Sequence, residues 1–197
     1  MASRAVAWIK EEGAEFADVL IAGERLTATG VAIGADPIGY RLDYKLETDY
    51  GFFTLGLLVT ARGTGWSRTL DLRRNRRGRW SVRTKSDGDT ELPPPGGDAS
   101  LFAEALDCDL GLSPLTNSMP VLRHGLLRGG GPIDLLMARV SVPDLGVRAS
   151  RQRYTFVRTG SAGAVVRYES LDSDFAADIT FDQDGLVVDY PGLARRA

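Results

Sequence analysis

Residues 40 to 47 alternate apolar and charged without a fault: Tyr40, Leu42, Tyr44 and Leu46 stand against Arg41, Asp43, Lys45 and Glu47. A side-chain period of two belongs to a β-strand with one dry and one wet face. The same rhythm runs through most of the chain. Val19 to Ala22 and Leu26 to Ile33 flank Gly23-Glu24-Arg25 as a hairpin, closed by Asp36-Pro37. After a turn at Asp49-Tyr50-Gly51, the residues Phe53, Leu55, Leu57 and Val59 repeat the alternation. Phe52 and Leu58 make the other face partly apolar, as in a strand covered on both sides. Residues 66 to 73 and 79 to 84 pair about Arg74-Asn75-Arg76-Arg77-Gly78, where the glycine suits a positive φ.

The last third returns to the pattern. Leu136, Ala138, Val140 and Val142 oppose Met137, Arg139 and Ser141; Val166 and Tyr168 oppose Arg167 and Glu169; Ala177, Ile179 and Phe181 oppose Asp178, Thr180 and Asp182. Gln183-Asp184-Gly185 then turns the chain into Leu186 to Tyr190. Strands at this spacing predict one mainly β domain over residues 1–197, an antiparallel sheet of about ten strands, curled or closed, with few helices. Such a sheet must bury its apolar face. The covers on offer are an N-terminal helical turn, a short helix over Leu101 to Leu106 capped by Asp98 or Ser100, and the stretch 107 to 125. If these leave the concave side unfilled, an apolar cavity remains, as in small ligand-holding barrels.

Other classes are set aside by composition. A formal charge of -2 gives no electrostatic reason to expect nucleic acid as a partner. One cysteine and one histidine cannot form an internal disulfide or a structural zinc cluster, which suits a reducing compartment. The apolar run near the N-terminus is cut off by Lys10-Glu11-Glu12, short of the about 20 apolar residues of a membrane span and without a secretory pattern. The expectation is a cytoplasmic protein. No phosphate loop, dinucleotide fingerprint, serine elbow or zinc-protease motif occurs, and no cofactor is implied.

Residues 107 to 125 hold the one Cys, the one His, two acids two positions apart, a Thr-Asn pair and prolines at 114 and 120. Neither strand nor helix period survives across them, so they read as a connection shaped by Pro and Asn. Asp107 and Asp109 on one side of an extended segment suit a paired carboxylate or a metal site; satisfying backbone N–H groups is the simpler reading. Thr116 and Asn117 bond the loop onto itself or meet a ligand. Cys108 and His124 would be a nucleophile and base only within hydrogen-bond reach, and a small buried hydrophobe is the better reading of Cys108. The Arg73 to Arg79 cluster reads as a solvated hairpin tip, with phosphate or RNA binding as the alternative.

Four segments in order carry a resemblance: Asp107-Cys108-Asp109-Leu110 through Ser113-Pro114-Leu115-Thr116-Asn117-Ser118-Met119-Pro120; Val142-Pro143-Asp144-Leu145; Gln152-Arg153-Tyr154; and Gly185-Leu186-Val187-Val188-Asp189-Tyr190-Pro191-Gly192-Leu193. Together they resemble a bacterial family described as glycolipid-binding. The family has Gly-Cys where this chain has Glu104-Ala105, and paired Arg where it has Leu122-Arg123. The resemblance implies a fold similar to the lipoprotein-localisation carriers: an incompletely closed, strongly curved antiparallel barrel with a helical or loop lid over an apolar cavity.

The expected function is non-catalytic binding of a lipid-like or glycolipid-like amphiphile. Asp107, Asp109, Thr116, Asn117 and Arg123 form the polar rim, and Tyr154 and Tyr190 are further ligand candidates. An enzyme acting on a small hydrophobic substrate through the acid pair or Cys108 and His124 is the second reading. A partner-binding module, with a homodimer through the sheet face and Arg-rich hairpin, is the third.

Overall fold

The computed structural model describes all residues 1–197 as one fourteen-stranded sheet. The strands are β1 (Ala2–Lys10), β2 (Gly13–Ile21), β3 (Leu26–Gly34), β4 (Tyr40–Thr48), β5 (Thr54–Gly63), β6 (Trp66–Arg74), β7 (Trp80–Gly88) and β8 (Asp107–Leu110). After the helix α1 (Ser118–Arg123) come β9 (Ile133–Val140), β10 (Val147–Gly160), β11 (Gly163–Ser170), β12 (Ala176–Phe181), β13 (Val187–Tyr190) and β14 (Ala194–Arg196). Spatial order is β7-β6-β5-β4-β3-β2-β1-β14-β13-β12-β11-β10-β9-β8, so two meanders meet where β1 pairs with β14. The sheet is curved and hydrogen bonds do not close it.

The hairpins follow their sequence signals. Tyr40, Leu42, Tyr44 and Leu46 are buried, while Arg41 pairs outside with Asp43 and Lys45 with Glu47. The β6–β7 turn uses Gly78 at φ 80°, and Asn75 Oδ1 accepts the N–H groups of Arg77 and Arg79 at 2.9 and 3.0 Å.

Four expectations are corrected. The sheet has fourteen strands rather than about ten, because short strands at 107–110 and 194–196 join it and β1 runs along the N-terminus. The N-terminal helical turn is β1, whose inward set Val6, Trp8 and Lys10 ends on a buried cation. The short helix is a 3-10 turn at Ala99–Phe102, capped by Asp98 on Ser100 N at 2.9 Å; it buries Phe102 and leaves Leu101 exposed. Leu58 is exposed, so β5 has one dry face.

Residues 107–110 are also a strand, and β8–β9 is a parallel pair at the edge of an otherwise antiparallel sheet. Its outer-edge N–H groups meet side chains rather than the backbone of another strand. Cys108 N donates to Thr54 Oγ1 at 3.0 Å and Leu110 N to Thr116 Oγ1 at 3.2 Å. At the opposite edge β7 is mostly exposed beyond Trp80.

The segment from 89 to 132 carries the chain from one edge to the other across the concave side, and it divides the interior into two cores. The larger has 31 buried residues, among them Trp8, Leu42, Leu57, Leu70 and Phe102, with Cys108, Leu115 and Met119 closing it from the crossing segment. The smaller has 11, and Val121 and Leu126 cover Met137, Tyr154, Val166, Tyr168, Ile179, Phe181 and Tyr190. The crossing segment is the lid that the resemblance implies, but it is packed into the sheet. Under β1–β7 the concave side is filled by side chains, because the crossing segment brings its own apolar residues. The open space lies beside the second core.

One charged pair sits inside the larger core. Glu15 Oε1 accepts from Tyr44 Oη at 2.8 Å and Ser113 Oγ at 2.6 Å, and Lys10 Nζ lies 3.8 Å from Oε2. Burial pushes the Glu15 carboxyl up and the Lys10 ammonium down, each against the attraction of the other.

Candidate functional site

The cleft is bounded by residues 109–113 on one side and by β9, β10, β11 and the turn after β13 on the other, and encloses about 330 Å³. Its lining mixes charges (Asp109, Arg139, Arg148, Asp172), hydroxyls (Ser113, Ser150, Ser170, Tyr168, Tyr190), the Asn117 amide, and the apolar Leu112, Phe175 and Leu193. β10 and β11 put these groups inward because their strand period carries Ser150 and Gln152, then Tyr168 and Ser170, to the concave face.

Asp109 is fixed from three sides. Gln152 Nε2 donates to Oδ2 at 2.8 Å, Thr116 Oγ1 to Oδ1 at 3.3 Å, and Arg139 Nη1 lies 3.5 Å from Oδ2. Behind them the Tyr154 hydroxyl donates to Asn117 Oδ1 at 2.8 Å, with Gln152 Oε1 at 3.2 Å, and Asn117 Nδ2 donates to Pro114 O at 3.3 Å. The network holds a carboxylate and an amide at the cleft wall in one orientation.

An aromatic wall stands opposite. Tyr168, Phe175 and Tyr190 have ring centroids 6.0 to 6.4 Å apart, and Phe175 is 45% exposed at the mouth. Burial, helped by the Asp109 charge, pushes the Tyr168 hydroxyl up to about 12, and burial likewise raises Tyr190. Both are neutral donors at physiological pH. Beyond Leu112 and Leu193 lies a second hollow of about 210 Å³, lined also by Lys10, Glu11, Glu12 and Asp36. Leu112 holds φ 60°, a left-handed conformation costly for a branched side chain, and is 39% exposed on this saddle.

Of the residues singled out in the sequence, Asp109, Asn117 and Tyr190 line the cleft. Thr116 and Tyr154 stand directly behind it. Asp107 and Arg123 lie apart, in a buried bidentate pair with N–O distances of 2.7 and 2.5 Å, and the guanidinium sits 5.0 Å from the Phe53 ring centroid. Burial pushes the Asp107 carboxyl up against the pull of Arg123. The two acids serve different partners and do not form a paired carboxylate.

Cys108 faces Thr54, whose Oγ1 lies 3.6 Å from its sulfur and 3.8 Å from that of Met119, and burial pushes its thiol up to about 12. His124 instead accepts from Arg123 Nε at 3.4 Å. In the Arg-rich hairpin, Arg73 pairs with Asp71 and Glu47, and Arg74 donates to Ala105 O at 3.2 Å. Arg139, Arg148, Ser150, Tyr168, Asp172 and Phe175 were not among the sequence candidates. The available signal was Phe175, a large apolar residue following the polar run Asp172-Ser173-Asp174.

The sequence profile of the family described as "Putative glycolipid-binding" matches residues 5–196. The chain belongs to this family. A similar fold is seen in the crystal structure of a DUF1089 family protein from Pseudomonas aeruginosa, 30% identical, with a TM-score of 0.69 over 93% of this chain and 92% of that one. No curated protein matches the chain. No helix is long and apolar enough to cross a membrane. For this member of the family, the segments that carry the resemblance supply Asp109, Ser113 and Asn117 on one side of the cleft and Tyr190, Gly192 and Leu193 on another.

Proposed function

We propose that the protein binds a glycolipid-like amphiphile without chemical conversion, with its polyhydroxylated headgroup in the cleft and its alkyl chain on the Leu112–Leu193 saddle. The observation that carries this reading is the pairing of the exposed Phe175, backed by Tyr168 and Tyr190, with a fixed ring of donors and acceptors around Asp109, Asn117 and Arg139. A pyranose has C–H-rich faces and a hydroxyl rim, so it satisfies both walls at once. Small-molecule sites span about 300–1,000 Å³, and a cleft at the low end takes a headgroup but not a whole lipid. The chain must therefore lie outside, where each buried CH₂ contributes about 0.8 kcal/mol. The proposed setting is the cytoplasm, in keeping with one buried free thiol.

The test is titration with dodecyl maltoside, maltose and dodecanoate below micelle formation, followed by amide chemical-shift changes. The expected result is saturable binding of the glycoside, weaker binding of maltose at the same amides, and loss of glycoside binding in Asp109→Asn and Phe175→Ser with the fold intact. Equal uptake of dodecanoate, or glycoside binding indifferent to both substitutions, overturns the reading.

A further inference from the structure

Most of the convex face carries internally paired ions: Arg41 and Arg62 with Asp43, Arg73 with Glu47 and Asp71, and Arg167 with Asp178. Strands β1 to β3 break that rule. Their outward positions form two neighbouring apolar rows. In the first, Ile9 on β1 pairs with Ala14 on β2, which pairs with Ile33 on β3, and the row continues into Arg41 on β4. In the second, Ala7 pairs with Phe16 and Phe16 with Val31, continuing into Asp43. Ile9 is 65% exposed, Ile33 51% and Phe16 46%, so the largest side chains of the patch stand in water. Scattered apolar residues on a surface need no account, but a contiguous block across three strands marks an interaction site.

We propose that this face binds a second copy of the chain about a two-fold axis that runs across the strands between the two rows. The axis lays each row on the other row of the partner. Phe16 then stands over the partner's Ala14, Ile9 over the partner's Ala7, and Arg41 over the partner's Asp43, each contact occurring twice. On β1 and β2 large meets small, on β3 Ile33 meets the partner's Val31 as apolar on apolar, and on β4 cation meets anion, which is the self-complementarity an isologous interface requires. Sheets packed face to face lie about 10 Å apart, which interdigitated Phe and Ile side chains fill.

The alternative axis, along β2, fails on the same residues. It stacks Phe16 on the partner's Phe16 and sets Arg41 against the partner's Arg195, since Arg195 pairs with Ile9 at the other end of the first row. Like charges would face each other at both ends. Because the sheet is curved, the contact is confined to β1–β4, and the cleft, which lies on the concave side, is left open.

Sedimentation velocity of the full chain over a concentration series up to about 1 mM, the weakest association in the usual range, tests the proposal. The expected result is a concentration-dependent dimer that Phe16→Asp abolishes while circular dichroism is unchanged. Asp43→Arg alone places cation on cation and also weakens the dimer. The exchanged pair Arg41→Asp/Asp43→Arg recovers association relative to Asp43→Arg alone, because each exchanged charge again meets its opposite across the axis, although Arg62 loses its Asp43 partner. A wild-type protein that stays monomeric throughout, or a dimer indifferent to Phe16→Asp, overturns the proposal. Strengthening by Arg41→Asp alone overturns the axis in favour of the one along the strands.

Discussion

Strands β1 to β7 turn Leu42, Leu46, Leu57, Leu70 and Leu72 into the concave space and fill it, whereas the strands after the crossing segment turn Ser150, Gln152, Tyr154, Tyr168 and Tyr190 toward the same side. The two halves share an architecture and differ in what the inward positions carry. A mainly apolar inward face packs against the crossing segment and is closed by it. An inward face of hydroxyls and amides must keep partners or water, and the cleft opens where that requirement is strongest. Curvature alone therefore does not open a cleft; the chemistry of the inward positions does.

The sharpest way to break the comparison is at the lid. Arg123→Met leaves the Asp107 carboxylate buried without its counter-charge and should cost about 3–5 kcal/mol in urea unfolding. In the filled half, Leu57→Ala removes a fully buried side chain and should cost about 2–5 kcal/mol with no change in glycoside uptake. In the open half, Tyr154→Phe leaves the Asn117 and Gln152 carbonyl oxygens without their donor. It should cost about 1–3 kcal/mol and weaken dodecyl maltoside binding. If Leu57→Ala lowers uptake and Tyr154→Phe does not, the division of labour between the halves is wrong.

A smaller effect concerns the one charged pair inside the filled half. Burial raises the Glu15 carboxyl, so below the ordinary glutamate range folded and unfolded chains are both protonated there. As pH rises through the raised folded value, the unfolded chain sheds its proton first and stability falls. Thermal melts across that window should show a decline in Lys10→Met that is reduced in Lys10→Met/Glu15→Gln. Asp107, also raised by burial, supplies the remainder. Smallest of all, Arg76→Ser at the hairpin tip should change stability by no more than about 0.5 kcal/mol in the same melts.

What the sequence made legible divides along similar lines. β4 could be read because its polar residues face water and its apolar ones do not. β1 was hidden by Lys10, an inward charge whose partner Glu15 sits on the next strand. β8 was hidden because both its faces are buried: Cys108 and Leu110 meet the core, and Asp107 meets Arg123 sixteen residues on. Asp109, Asn117 and Tyr190 were legible as site candidates through the segments that carry the family resemblance. Arg139 and Arg148 were not, because a charged residue on a strand reads as part of a solvated face, and Asp172 was not, because a polar run between strands reads as an ordinary turn. The register of β9 and β10 brings Arg139 and Arg148 to the cleft, and the β11–β12 turn brings Asp172.

The capped edge of β8 has a consequence for how this open sheet behaves in company. An unclosed sheet offers two rows of free peptide groups to any passing strand, and such rows seed fibrils and swapped assemblies. Here the Thr54 and Thr116 hydroxyls already occupy the donors at one edge. At the other, β7 presents Arg83, Lys85 and Asp87, charges that an incoming apolar strand would have to desolvate. The sheet can stay open beside its cleft without inviting the extension that openness ordinarily brings.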